Sequence, residues 1–331
     1  MRRRTIERGG DSRDEPVTTE TSVAAREVGV TSSEGRSRRP GRLRQPAGLP
    51  WILPAMIVSV GLLYYCIVYT GYLSTLRWDG ASPLQQPVGA ENFTRMLQDP
   101  VFWRAIGNTV AFFVVTLSVQ VALGILLACL LHSQLYLKTV HKVLIFIPVV
   151  LATATIAPVF RQMYAPDGTV NGILRAVGLG ALAQPWLSNG TAALIIIMSV
   201  QIWQSTGIVF VLYYAAIGQI DTEVLEAARL DGAGNLRLIG SIVWPGVRGT
   251  TIAIAILTAI GSLKTFDIPF LITGGGPSYA TEFLGTMIYR VSVSFSQVGY
   301  GAAISVVLLI LAVGTAIIIR VSSTEREKAN V

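Results

Sequence analysis

The chain has 331 residues, of which 52% are hydrophobic and only 14% charged, with a mean hydropathy of +0.57. These values exclude an ordinary water-soluble domain and point to an integral membrane protein. The net charge of +7 carries no argument for nucleic acid, because the arginines crowd ahead of the first apolar run, where they orient a membrane protein.

Residues 1–48 are rich in Arg, Glu, Ser, Thr and Gly and lack periodic apolar content, so they read as a disordered tail. The charged region is too long for a signal peptide, and no small-residue cleavage site follows a short apolar core. Arg36, Arg38, Arg39, Arg42 and Arg44 precede the first span and place the N-terminus in the cytoplasm.

Six spans are predicted, at about 51–73, 108–131, 142–160, 192–215, 250–272 and 299–319. Each is long enough, at ~1.5 Å per residue, to cross about 30 Å of hydrocarbon. The expected fold is therefore an all-α, polytopic membrane protein with a transmembrane domain at 49–322 and a cytoplasmic tail at 323–331. Lys138, Lys142, Arg229, Arg237, Arg248, Arg320, Arg326 and Lys328 fall on the same side as the N-terminal arginines, so both termini are expected in the cytoplasm of a cell-membrane protein. The fifth span is interrupted by Lys264 and Asp267.

In the first outer loop, Asp99-Pro100 is a helix start, and it predicts a surface helix that turns into the second span near Asn108. In the second, Pro166-Asp167-Gly168 marks a turn, Gly172 to Leu182 a short interfacial helix, and Pro185-Trp186-Leu187 an anchor for the fourth span. Gly274-Gly275-Gly276-Pro277 invites a phosphate-cradle reading, but no Gly-x-x-x-x-Gly-Lys-Ser/Thr pattern occurs, and a tight turn is preferred.

The stretch 221–247 is polar although it lies between two apolar spans. Asp221 is a candidate N-cap, Leu225 to Leu230 are good helix formers, and Gly232 is a natural stop. Asn235 is expected to cap a second helix with Leu236, Ile239 and Val243 on one face, until Pro245 kinks or ends it. Glu226-Ala227-Ala228, then Gly232, then Ile242-x-Trp244-Pro245 resembles the EAA loop of permease subunits in binding-protein-dependent ABC importers. Two departures stand out: Trp244 where the family usually has Leu, and Ile220-Asp221 where it often has Ile-Pro. Phe266-Asp267 with Leu271-Ile272-Thr273-Gly-Gly-Gly-Pro is similar to the maltose-type carbohydrate subfamily, in particular its F-type subunit. Weaker likenesses to sugar importers occur at Val88-Gly89, Glu91-Asn92-Phe93, Phe102-Trp103 and Asn108-Thr109.

The resemblance implies a transport subunit rather than an enzyme. It would import a sugar or related polyol handed over by an extracytoplasmic solute-binding protein, pairing with a second permease subunit and a dimer of ATP-binding subunits. No cofactor would be bound by this chain; ATP and Mg would be used by the partner ATPase. Glu226, Ala227, Ala228, Asp231, Gly232, Ala233 and Pro245 would form the coupling contact with it. No catalytic constellation is visible in the residues, in keeping with that division of labour. Two cysteines and two histidines, Cys66, Cys129, His132 and His141, offer neither a disulfide framework nor a metal site.

For the pathway, Gln201, Gln204 and Ser205 lie at i, i+3 and i+4 on the fourth span. They either hydrogen-bond sugar hydroxyls, with Trp203 as a stacking surface, or tie neighbouring helices together. Lys264 falls about 4–5 Å from the midplane of a span at 250–272, too deep to snorkel out. It is therefore expected to face a cavity, a partner subunit or Asp267, unless the segment is irregular and wet. The alternative to the importer is a stand-alone secondary transporter coupled to ions through Lys264 and Asp267.

Overall fold

The computed structural model describes residues 49–132 and 136–328. The tail at 1–48, expected to be disordered, lies outside the described residues. Contacts divide the chain between Met56 and Ile57, and of the first unit only the opening turns of helix α1 (Leu49–Ser74) are described. All the remaining architecture belongs to the second unit. From Ile57 to Tyr69 every side chain of α1 is exposed. A helix that is apolar on all sides and exposed over such a length is suited to a membrane rather than to water.

A two-residue antiparallel pair, β1 (Leu76–Arg77) and β2 (Gln86–Pro87), leads to α2 (Glu91–Gln98). Helix α3 then runs unbroken from Pro100 to His132, started by the Asp99 carboxylate, which accepts from the Val101 N–H at 2.8 Å. The expected surface helix and second span are thus one 33-residue helix. No glycine–proline break separates them, and Phe102 and Ala105 already pack into the core, so nothing diverts the first turns along the surface.

The third span differs most from expectation. It is broken into α4 (Lys138–Val150) and α5 (Thr153–Met163), which meet at 93°. Pro148 sits just before the break and cannot donate to the helix. Helix α6 (Thr169–Ala176) and a single tight turn at Gly180–Leu182 replace the continuous helix expected from Gly172. Helix α7 (Gly190–Ile217) contains the fourth predicted span and is capped by Asn189, whose side chain accepts from the N–H groups of Thr191 and Ala192.

The polar stretch folds as α8 (Thr222–Leu230), α9 (Asn235–Leu238), a wide π-turn at Ile239–Val243 and α10 (Trp244–Gly246). After a 73° bend comes α11 (Arg248–Leu263), then α12 (Asp267–Ile272), α13 (Leu284–Tyr289), a second wide turn at Arg290–Ser294, and α14 (Val298–Lys328). The helix of the fifth predicted span therefore ends at Leu263, and the last six residues of that prediction form the separate α12. Among the described residues, four helices are long and apolar enough to cross a membrane, and up to six crossings result if each bent pair counts as one.

Helix α7 is central, lying against α3 on one side and α4 on another. Two glycines permit this. A Cβ on Gly124 of α3 would stand 2.7 Å from Val209, and one on Gly207 would stand 2.7 Å from the Ile145 carbonyl oxygen of α4. Small residues at such points let backbones approach and gain dispersion that lipid does not offer. Around the contact, Val121, Ile125, Val209 and Phe210 form one core, which continues through Ile217 to Leu238 and Val243 of the polar stretch. Gly207→Ala is expected to cost about 1–3 kcal/mol by overpacking against a backbone that cannot yield. Gly107→Ala, at a helical site with open space around it, is expected to leave stability unchanged or slightly raised. Thermal midpoints of the purified variants in detergent check the contrast.

Candidate functional site

Two features stand out, a polar cavity among the helices and the knob at 221–247. The knob is closed by local chemistry. Gly232 takes φ +80, which an L side chain rarely adopts. With it in place, the Ala233 N–H reaches the Ala228 carbonyl at 2.9 Å and the Gly232 N–H reaches Arg229 at 3.0 Å. This pair of bonds is a Schellman motif, satisfying carbonyls that the end of α8 would leave open.

Asp221 occupies the position before α8, but its carboxylate makes no capping bond. Asn235 is not a cap either; it is the first residue of α9, after Gly234. The expected apolar face is also shifted. Leu236 is exposed, and Leu238 with Val243 is buried, because the π-turn at Ile239–Val243 inserts an extra residue into the helical period.

Of the residues singled out on the knob, Glu226, Ala227, Asp231 and Gly232 are exposed, while Ala233 and Pro245 are half-buried. Ala228 is half-buried against the core with Leu225. Glu226 forms no ion pair among the described residues. The knob thus presents exposed charges of both signs, Glu226, Arg229, Asp231 and Arg237, on a base held by leucine and valine side chains.

The cavity has a volume of about 340 Å³, within the usual range for a small-molecule site. Polar side chains enter it from four helices: Thr116 and Gln120 of α3, Thr153 of α5, Gln201 and Ser205 of α7, and Thr258 and Ser262 of α11. Lys264 and Asp267 line it as well. Lys264 stands at the end of α11, its N–H bonded to the Ile260 carbonyl, on the turn that leads into α12. The two charges form no ion pair with each other among the described residues. Lys264 thus lines the cavity from the irregular turn between α11 and α12 rather than from within a continuous span.

The predicted glutamine stripe divides. Gln201 donates to Ser205 Oγ at 2.7 Å, and both line the cavity. Gln204 turns the other way and donates to the Leu151 carbonyl at 3.1 Å and to Thr153 Oγ1 at 3.2 Å. It serves the break between α4 and α5, and it orients Thr153, which does line the cavity. Trp203 points away, exposed and edge-on to Phe160 at 5.3 Å, and does not line the cavity. Thr116 with Gln120 and Thr258 with Ser262 are cavity residues that the sequence reading lacks. Each is nonetheless a polar pair at i, i+4 within an apolar helix and carries the same signal as Gln201 with Ser205.

A bundle of apolar helices around a polar cavity, with a compact polar knob between two of its cavity-lining helices, defines a multi-pass membrane transport component. Residues 120–324 match the family of binding-protein-dependent transport system inner membrane components, and the chain belongs to that family. The expectation of a transport subunit rather than an enzyme is met by this membership. Among relatives, YurN of Bacillus subtilis, a probable ABC transporter permease protein, is 33% identical over 78% of this chain and 92% of its own length. The lactose transport system permease protein LacF of Rhizobium radiobacter is 30% identical over 80% of this chain and 89% of its own. A chain from the crystal structure of a bacterial ABC transporter involved in alginate import has the same fold, with a TM-score of 0.66 at 23% identity, covering 82% of this chain and 95% of that one.

Replacing Gln204 by Leu would leave the Leu151 carbonyl without its side-chain donor. The expected cost is about 1–3 kcal/mol, read as a lower thermal midpoint, with Gln204→Glu failing to restore it because a carboxylate cannot donate.

Proposed function

We propose that this chain is the permease subunit through which a sugar or related polyol, released by an extracytoplasmic binding protein, crosses the membrane at the expense of ATP. The observation that carries this reading is the placement of the knob. It joins the end of α7 to the start of α11, and both helices line the cavity. A push on the knob is delivered to two cavity walls at once. ATP and Mg are bound by a separate ATPase pair, which grips the knob at Glu226, Ala227 and Ala228; Asp231, Gly232 and Ala233 set its tip and Pro245 the exit angle. A second permease completes the pathway. The excess of Lys and Arg on the knob side supports a cytoplasmic knob with both termini on that face.

Carbohydrate as the cargo class is supported by the hydroxyl and amide lining, which matches a polyhydroxylated solute, and by the lactose permease among the relatives. Lys264 and Asp267 add a donor and an acceptor at one end of the cavity. A stand-alone ion-coupled transporter has less in its favour, since the family is one of binding-protein-dependent systems.

Reconstitution with the binding protein, second permease and ATPase tests the reading. ATP-dependent uptake of labelled sugar is expected, and Glu226→Lys is expected to abolish both uptake and co-purification of the ATPase. Accumulation by this chain alone under an ion gradient, without ATP, refutes it.

A further inference from the structure

Between α12 and α13 begins a charged pair that plays no part in the proposed transport step. Glu282 is fully buried, and its Oε2 stands 3.3 Å from Nε of Arg290, which is itself mostly buried. Among the described residues, neither carboxylate oxygen nor the Arg290 Nε makes a hydrogen bond of good geometry, although the Thr286 hydroxyl and the Arg290 guanidinium stand near enough to favour the charged carboxylate. The guanidinium is flanked by the rings of Tyr279 and Phe295, at 4.1 and 5.4 Å. Gly275 makes room for the carboxylate, since a Cβ there would fall 2.4 Å from Oε2.

Such a pair does little for stability, because desolvating two charges offsets their attraction. Burial pushes the Glu282 carboxyl above the usual carboxylate range, while Arg290 beside it pulls it back. A carboxyl shifted upward stabilises the fold in acid and gives that stabilisation up as pH rises through the raised value. At neutral pH, then, the charged pair is not what keeps the chain folded.

Its place in the chain gives it another task. Glu282 precedes α13 and Arg290 follows it, so the pair ties the two ends of that helix together. One face of α13 rests on the turn that carries the cavity charges. A Cβ on Gly285 would stand 2.7 Å from the Thr265 carbonyl oxygen, and Tyr289, one turn on, packs on Phe266 at 5.4 Å and Phe270 at 4.9 Å. On the other side, Asn108 of α3 donates to the carbonyls of Ala280 and Glu282 at 2.9 and 2.8 Å. A slip of α13 by one residue would move Gly285 and Tyr289 together and displace Lys264 and Asp267.

We propose that Glu282 and Arg290 are a positioning pair for the transport pathway, fixing the register of α13 and thereby the place of Lys264 and Asp267 in the cavity. The link to transport rests on the cavity being the route; the link to the turn does not.

The test uses the assembled transporter in proteoliposomes, with Cys66→Ser and Cys129→Ser as background. Thiol alkylation is timed at a Lys264→Cys reporter and, separately, at a Leu230→Cys reporter on the knob. Single changes at Glu282 or Arg290 strand one buried charge and risk misfolding, so the decisive variant is Glu282→Gln with Arg290→Met, which removes both. The expected result is an unchanged or raised thermal midpoint, an alkylation rate at position 264 changed by about threefold or more, and no change at position 230. With Lys264 intact, sugar uptake is expected to fall by about tenfold. An unchanged rate at position 264 overturns the proposal. So does a lowered midpoint with both reporters changing together, since the pair would then be merely structural. If the unmodified complex imports no sugar while position 264 still responds, the positioning role stands and the transport reading fails.

Discussion

A backbone carbonyl released inside a bilayer has no water to turn to, and leaving it unpaired costs several kcal/mol. Two departures from regular helix among the described residues answer that constraint. The 93° break between α4 and α5 is tolerable because Gln204 reaches across from α7 to the Leu151 carbonyl. The end of α11 is closed by the Lys264 and Thr265 N–H groups, bonded to Ile260 and Ser262. Irregular backbone at such depth survives where it is buried in protein or lines a cavity. Both breaks lead to the same cavity, since Thr153 follows the first and Lys264 opens the second. The interruption of the helices and the polar lining belong to one arrangement.

The knob obeys the same constraint at a different place. Its tip is closed by the Schellman bonds at Gly232, and its base is packed into the core through Leu238, Val243 and Val247. Tyr213 of α7 and Thr251 of α11 share a hydrogen bond at 2.9 Å just behind it. The two helices that leave the knob are thus joined by a hydrogen bond close to its base.

Much of this is legible in the sequence, for identifiable reasons. Long apolar runs mark α1 and α7 to within two residues and the start of α14 to within one, because lipid demands a fixed length of apolar helix, while α14 itself runs on past the apolar run to Lys328. Gly232 is readable as a stop because only glycine readily takes the required φ. The break in the third span is not, although Pro148 and Pro158 are in plain view. Proline alone does not fix where a membrane helix breaks, and the side chain that bonds the Leu151 carbonyl at this break, Gln204, lies 53 residues away in the chain. Periodicity gives Gln201, Gln204 and Ser205 one face, yet about 100° per residue leaves Gln204 on its edge, and packing against α4 and α5 decides its direction. Glu282 and Arg290 have no counterpart in the sequence reading because burial of a charge in a loop has no periodic signature.

Helix α7 carries an unusual load over a few neighbouring residues. Trp203 is open to the surroundings, Gln204 braces a neighbour's break, Ser205 enters the cavity and Gly207 has no room for a methyl group. Tolerance to sequence drift along α7 therefore changes from one position to the next rather than from one end of the membrane to the other. Relatives that have diverged in cargo are expected to differ at the open and cavity-facing positions while holding the brace and the contact glycine, so that the scaffold and the specificity of the same helix evolve at separate rates.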